Sequence, residues 1–140
     1  MDIKQKTLTF ITPQLHMVIA TSGPKGQPEA ALVGFVNKPD FTLMFGTYNT
    51  SRKYTNIMHN SNVAIVFGQN EGITVQYEGT ASLLEEDELV EYKNIYFAKH
   101  PTTRKYERDA PQVYIKVAPR WLRWVDNTKE VEEIEEVIFH

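Results

Sequence analysis

Hydrophobic residues recur along much of this chain with the two-residue period that is typical of β-strands. In one stretch, Phe41, Leu43 and Phe45 alternate with Thr42 and Met44. Turn-forming segments punctuate the pattern: SGPKGQP and NKPD are rich in glycine or proline, and QNE is polar. These signals predict strands over residues 16–21, 29–36, 41–47, 63–68, 73–84, 112–118 and 120–126, with Pro119 separating the last two.

Three segments carry the signals of short helices. The first twelve residues predict a helix that ends before Pro13, because a residue that precedes proline avoids the α region. A second helix is predicted after an N-cap at Thr50 or Ser51, with an apolar face formed by Tyr54, Ile57 and Met58. A third is predicted over 85–100, with Leu89, Tyr92, Tyr96 and Phe97 at helical spacing. The tail TKEVEEIEEVIFH fits a strand or a helix.

The order of these elements predicts a mainly β fold. About six or seven strands come mostly in consecutive pairs joined by short turns, which favours an antiparallel sheet over a parallel α/β sheet. We therefore expect one domain over residues 1–140, an antiparallel sheet closed as a barrel with two or three short helices.

Composition narrows the function classes. There are no cysteines, which excludes disulfides, thiolate metal sites and cysteine nucleophiles and fits a cytoplasmic protein. A net charge of -3 and a pI near 5.8 argue against a general nucleic-acid binder. The N-terminal segment lacks the apolar core of a signal peptide, and no apolar run predicts a membrane span.

The segment TYNTSRK combines parts that suit an anion site. Arg52 and Lys53 follow the hydroxyl of Ser51 at a strand-to-helix corner, where free backbone N–H groups favour a phosphate. Cations in the first turn oppose the helix dipole by about 0.3–1 kcal/mol each, which a bound anion would offset. The alternative is that Arg52 and Lys53 are two solvated residues of the first turn.

The four histidines and the segment PRWLRWVD are two further candidate sites. The four histidines are far apart in the sequence, and none has the spacing of a metal site. In the segment PRWLRWVD, Trp121 and Arg123 share one face of a strand, and the opposite face carries Arg120, Leu122 and Trp124. This segment fits an edge strand with its tryptophans in the core or a subunit interface, and it equally fits an aromatic wall beside a bound ring.

The ordered set of motifs resembles the pyridoxamine 5'-phosphate oxidase-like family, the FMN-binding split barrels. The resemblance covers roughly residues 14 to 126. A strand that ends in Thr47 leads to Ser51-Arg52-Lys53 and a helical segment. Asn60 and the next strand follow, and the later EGTA, residues 78–81, matches a recurrent family segment.

The resemblance implies FMN as the cofactor and a homodimer with the flavin at its interface. Arg52 and Lys53 would bind the phosphate with help from Ser51, and Thr47 would contact the flavin or its ribityl chain. The backbone of Ala31, Leu32 and Val33 would line the isoalloxazine edge. The second subunit would complete the site, with Trp121 and Arg123 as the candidates for that contribution.

Two departures from the family pattern limit the function that it implies. The oxidases carry a C-terminal Arg-Leu-His-Asp-Arg segment that recognises pyridoxal phosphate, and this chain has RWLRWVDNTKE in that region. The family's Arg-Gln before the EGTA strand is Ile73-Thr74 here. The resemblance therefore implies FMN binding without oxidation of vitamin B6.

Three functions stay open from the sequence. The first is an FMN-dependent oxidoreductase of unknown substrate and electron donor, in which the flavin does the chemistry. The second is a flavin-binding protein that carries or senses the cofactor without catalysis. The third is an interaction module without a cofactor, and some members of the family bind a deazaflavin or haem instead of FMN.

Overall fold

The computed structural model describes residues 1–68, 72–109 and 111–140, so the predicted turn QNE lies outside the described residues. Within the described chain the helices are α1 (Ile3–Ile11), α2 (Arg52–His59) and α3 (Glu86–Lys99), and a 3₁₀ helix spans Pro101–Tyr106. The strands are β1 (His16–Ser22), β2 (Pro28–Gly34), β3 (Val36–Asn37), β4 (Leu43–Tyr48), β5 (Asn62–Phe67), β6 (Ile73–Leu83), β7 (Gln112–Asp126) and β8 (Glu133–Ile138).

All strand pairs in the described sheet are antiparallel, in the order β2-β1-β5-β6-β7-β4-β3, and β8 adds to β7. The two ends of this order, β2 and β3, are separated in the sequence by Phe35 alone. The sheet therefore curls back on itself. The predicted mainly β, antiparallel split barrel with short helices is confirmed.

Apolar side chains fill the inside of the barrel and the space beneath α3. The barrel core includes Phe45, Ile65 and Tyr77, and the Tyr77 hydroxyl donates to the carbonyl oxygen of Phe41 at 2.9 Å. The two-residue period places Met44 on the opposite face of its strand from Leu43 and Phe45, which lie in the barrel core. Met44 is nevertheless buried, because α3 covers the outer face of β4 and packs Tyr92, Tyr96 and Phe97 there.

The predicted break at Pro119 is wrong, because β7 continues through it. Pro119 pairs with Gly79 and Trp121 pairs with Glu78, so Arg120 is the extra residue of a bulge. The bulge accommodates the missing N–H of proline. Gly79 allows the close approach, since a Cβ there would lie 2.4 Å from the carbonyl oxygen of Ala118.

The pairing of β7 corrects one expectation for the segment 119–126, that it is an edge strand. β7 pairs with β6 along its length and with β4 and β8 on its other edge, so it is not an edge strand. Trp124 is buried in the core, and Trp121 lies half-buried on the opposite face. The ambiguous tail forms β8, which is a strand and not a helix.

The helices agree with their predicted positions, with one difference in α2. Its N-cap is Ser51, and its predicted apolar face is incomplete because Met58 is 43% exposed. Asn56 is the residue that α2 buries beside Ile57. None of the described helices is long and apolar enough to span a membrane.

Candidate functional site

The corner between β4 and α2 is fixed by hydroxyl groups. Ser51 Oγ accepts a hydrogen bond from the backbone N–H of Tyr54 at 3.2 Å and another from Thr47 Oγ1 at 2.9 Å. The cap ends the strand-to-helix turn and leaves the Ser51 proton able to donate to an oxyanion. Thr47, Ser51 and the two cations therefore lie together at the start of α2.

Two recesses meet at Lys53. The smaller has a volume of about 110 Å³, and its polar side chains are Thr21, Glu29, Arg52 and Lys53. The larger has a volume of about 550 Å³ and is bounded by β2, β4, α3 and the 3₁₀ helix. One recess is small and ionic and the other is wide, which suits a ligand with a compact anionic end and a broad ring.

Among the described residues, five aromatic side chains line the larger recess. They are Tyr48, Tyr96, Phe97, Tyr106 and Tyr114. The Tyr48 hydroxyl donates to Asp109 Oδ2 at 2.6 Å, and this bond to a carboxylate raises the pKa of Tyr48. The ring of Tyr106 packs edge-on against Tyr48, with 6.3 Å between centroids, so the residues after α3 are tied to the recess.

Glycine makes room on the β4 side of the recess. A Cβ at Gly46 would lie 2.5 Å from Gln112 Nε2. Gln112 also lines the recess. It pairs with Tyr48 in the β4–β7 register, and its flexible amide reaches back over Gly46. Gly46 therefore lets the side chains of Gln112 and Tyr114 pack against the backbone of β4.

The β2 strand adds backbone groups to the site. β2 pairs with β1 and stands at the end of the strand order, so its other edge carries N–H and C=O groups that β1 does not use. Leu32 and Val33 line the larger recess and Ala31 lines the smaller one. A planar ligand with donors and acceptors along its rim could bind to this edge.

The corner holds a carboxylate, Glu29, beside its two cations. Arg52 Nη1 lies 3.4 Å from Glu29 Oε2, and Asn56 Nδ2 donates to Glu29 Oε1 at 2.8 Å. Burial lowers the pKa of Lys53, and the adjacent Arg52 lowers it further. The charged form of Lys53 is thus disfavoured in the chain alone, and a nearby anion would favour it.

The structure brings together seven of the nine residues that were predicted to bind the cofactor. Around the two recesses it gathers Ala31, Leu32, Val33, Thr47, Ser51, Arg52 and Lys53. Trp121 and Arg123 line neither recess. They lie on the outward face of β7, where Arg123 binds Glu136 and its guanidinium lies 5.5 Å from the Trp121 ring centroid.

Sequence reasoning missed the aromatic wall and the acidic partner of Arg52. The helical spacing of Tyr96 and Phe97 predicted that they would be buried, and nothing in it indicated a recess. Glu29 and Asn56 are 27 positions apart and carry no shared signal. Among the described residues, no group of three His, Asp or Glu side chains could hold a metal ion.

The fold recurs in solved structures of other proteins. A haem-binding protein from Mycobacterium smegmatis aligns with a TM-score of 0.85 at 14% identity, covering 99% of this chain, which spans only 58% of that protein. General Stress Protein 26 from Bacillus anthracis aligns at 0.79 and 26% identity, covering 99% of this chain and 100% of that one. HutZ, a haem storage protein from Vibrio cholerae, aligns at 0.74 and 15%, covering 99% and 95%.

The sequence itself carries the family assignment. The search of curated proteins found no match to this chain. The family model described as pyridoxamine 5'-phosphate oxidase, however, matches residues 3–126, which is most of the chain and includes the corner at Arg52 and Lys53. The chain therefore belongs to the pyridoxamine 5'-phosphate oxidase family.

Proposed function

We propose that this chain is an FMN-binding flavoprotein and that it acts as an FMN-dependent oxidoreductase. The observation that carries the proposal is the meeting of two recesses at Lys53, one ionic and of phosphate size, the other wide and aromatic. FMN has a phosphate at one end and a planar ring system at the other. The family membership supports the same cofactor.

At the smaller recess, the chain would hold the phosphate with charge and hydrogen bonds. Arg52 can donate to two phosphate oxygens, Lys53 adds a point charge, and the Ser51 hydroxyl adds a third donor. The backbone N–H groups at the start of α2 favour the same anion. A phosphate would oppose the lowering of the pKa of Lys53 that burial causes.

At the larger recess, the open edge of β2 and the aromatic wall would orient the ring. Leu32 and Val33 line this recess and would offer backbone groups to the rim of the ring, and Thr47, which bonds to Ser51, would lie beside the ribityl chain. When bound, the flavin supplies the hydride or electron transfer, and the protein supplies position and electrostatics.

We also propose a homodimer that pairs through the outward face of the sheet. Leu32, Val18 and Val66 are in register on β2, β1 and β5 of this face, and they are 66%, 40% and 45% exposed. Trp121 and Arg123 lie on the same face further along the sheet. Leu32 also lines the larger recess, so a partner on this face would reach the flavin.

Haem is the second candidate ligand, because two of the similar structures are a haem-binding and a haem storage protein. Haem iron commonly takes a histidine, cysteine, methionine or tyrosine as axial ligand. Among the described residues that line the larger recess there is no histidine or methionine, although tyrosines are present. The ionic corner and this lining favour FMN.

The test is an FMN titration of the unchanged protein and two double variants, in which the quenching of flavin fluorescence measures binding. Replacing Arg52→Ala together with Lys53→Ala should weaken FMN binding about 100-fold or more, since hydrogen bonds to charged groups contribute about 1.5–3 kcal/mol each. Lys25→Ala with Arg108→Ala removes the same charges from exposed positions outside both recesses and should leave binding unchanged. Equal affinity of the two double variants would contradict the proposed phosphate site.

A second assay separates an enzyme from a flavin carrier. Steady oxidation of NADH or NADPH by the FMN-loaded protein in the presence of an electron acceptor would support the oxidoreductase. A bound flavin that neither nucleotide reduces would support a carrier or sensor. Titration with haemin under the same conditions tests the haem alternative, which requires tighter binding than that of FMN.

A further inference from the structure

The smaller recess contains a carboxylate, which is an unexpected group beside a proposed phosphate. Glu29 lines this recess together with Arg52 and Lys53, and its side chain is 15% exposed. Its Oε2 lies 3.4 Å from Arg52 Nη1. A phosphate in this recess would therefore meet a negative charge as well as two positive ones.

Glu29 is held in place from behind. Asn56 Nδ2 donates to Glu29 Oε1 at 2.8 Å and lies 2.9 Å from Thr21 Oγ1. Asn56 and Thr21 are both buried, at 4% and 5% exposure. Gln27 Nε2 adds a longer bond of 3.4 Å to Glu29 Oε2. The carboxylate is thus anchored on the buried Asn56, which donates to the buried Thr21 as well.

Arg52 is the mobile partner of this ion pair. Its side chain is 73% exposed, and its contact with Glu29 involves one guanidinium nitrogen. An exposed side chain with one long contact can turn at little cost, whereas the buried Asn56 cannot. When an oxyanion enters the recess, we therefore expect Arg52 to leave the carboxylate, and Glu29 to stay.

We propose that Glu29 is an internal competitor for Arg52 that lowers the affinity of the corner for a phosphate monoester. This inference rests on the proposed binding of FMN. With Glu29 included, the corner carries one net positive charge rather than two, and a phosphate monoester carries about -1.5 to -2 near neutral pH. Both the repulsion and the occupation of Arg52 oppose the phosphate, and neither acts on riboflavin.

The variant Glu29→Gln removes the charge and keeps the shape. Glutamine retains a carbonyl oxygen that can accept the bond from Asn56, so the fold should be preserved. We expect this variant to bind FMN about tenfold more tightly and riboflavin within about twofold of the unchanged protein, as electrostatic coupling at a partly exposed site implies. Glu130→Gln, at an exposed position that lines neither recess, is the control and should change neither affinity.

The same substitution in an Arg52→Ala background tests the route of the effect. Without the guanidinium, the carboxylate has no cation to compete for. The gain in FMN affinity from Glu29→Gln, expressed as a logarithm, should therefore be less than half of the tenfold gain seen when Arg52 is present. A general change of fold would instead alter the binding of both flavins alike in either background.

The outcomes separate this inference from the proposal beneath it. Unchanged or weaker FMN binding by Glu29→Gln, with the unchanged protein still binding FMN, would overturn the competitor and leave the flavin site standing. An equal gain for FMN and riboflavin would also overturn it, since the effect would not act through the phosphate. If neither protein binds FMN, the proposed function and this inference both fail.

Discussion

At the scale of single residues, Lys53 links the two halves of the site. It lines both recesses, it is partly buried, and its pKa is lowered by burial and by Arg52. Groups with perturbed pKa values cluster at functional sites because burial and like charges are tolerated there for a reason. At Lys53, the phosphate of the proposed FMN would favour the charged amine and offset its repulsion from Arg52.

Lys99 is a second lysine that the fold places in an unfavourable position. Its Nζ lies 4.0 Å from the ring centroid of Phe35, is buried, and has no hydrogen-bond partner among the described residues. Burial lowers the pKa of Lys99 to about 8. An unfolded lysine has a pKa of about 10.4, so from about pH 8 to pH 10.4 the unfolded chain binds more protons than the folded one.

Lys99→Met should therefore stabilise the protein at pH 7, and its advantage should shrink as the pH rises. The sign follows from linkage: where the unfolded state binds more protons, the free energy of unfolding increases with pH, and only the unchanged protein has this gain. Urea unfolding at pH 7, 8, 9 and 10 checks it, with Lys25→Met as an exposed control. A difference between Lys99→Met and the unchanged protein that stays constant with pH would contradict the account.

At the scale of elements, the corner between β4 and α2 depends on the Ser51 cap. Its hydroxyl joins the N–H of Tyr54 to the side chain of Thr47, so the cap sets both the start of the helix and the position of the strand end. The first helical residues are Arg52 and Lys53. The positions of Arg52 and Lys53 therefore depend on one hydroxyl group.

Ser51→Ala should lower the free energy of unfolding by about 1 kcal/mol, the usual cost of losing an N-cap. It should also weaken FMN binding, because Arg52 and Lys53 lose their fixed position and the phosphate loses a donor. Thr50→Ala is the matched control, since Thr50 is an exposed neighbour that does not cap α2. Urea unfolding and an FMN titration measure the two effects, and equal behaviour of the two variants would refute this role of Ser51.

The elements that depend on local sequence could be predicted, and those that depend on distant residues could not. The strands, α2 and the residues from Thr47 to Lys53 depend on local periodicity and local capping, so their pattern can be read from neighbouring positions. The bulge at Pro119 depends on Gly79, which is 40 positions away but adjacent in the sheet. A single sequence gives no signal for such a pairing.

The candidate site divides in the same way. Its ionic corner lies in one short segment and was predictable because all of its parts are close together in the sequence. Glu29 comes from β2, and Tyr96, Tyr106 and Tyr114 come from α3, the 3₁₀ helix and β7, so only the tertiary fold brings them near Lys53. Trp121 and Arg123 were assigned to a partner subunit, and that assignment stays a prediction.

At the scale of the whole molecule, the outward face of the sheet is the feature that a single chain does not explain. Leu32, Val18 and Val66 form an exposed apolar row across three strands. Ile134 and Ile138, on β8 at the other side of this face, are also 52% and 67% exposed. Apolar surface of this extent on a sheet is typical of a protein interface.

If the proposed dimer forms through this face, Val66→Asp should convert it into a monomer and reduce FMN retention, because a charge would be buried in the interface without a partner. Val90→Asp is the control, since Val90 is 70% exposed and lies on α3, outside the row formed by Leu32, Val18 and Val66. Light scattering after gel filtration gives the mass of each protein. An unchanged mass for Val66→Asp would show that the outward face is not the interface.

The central claim is that the corner at Arg52 and Lys53 and the recess beside it hold FMN. The most direct test is the visible absorption spectrum of the purified protein, recorded before and after addition of FMN and gel filtration. The account predicts flavin bands that stay with the protein peak. A protein peak without flavin absorption, even after incubation with excess FMN, would contradict it.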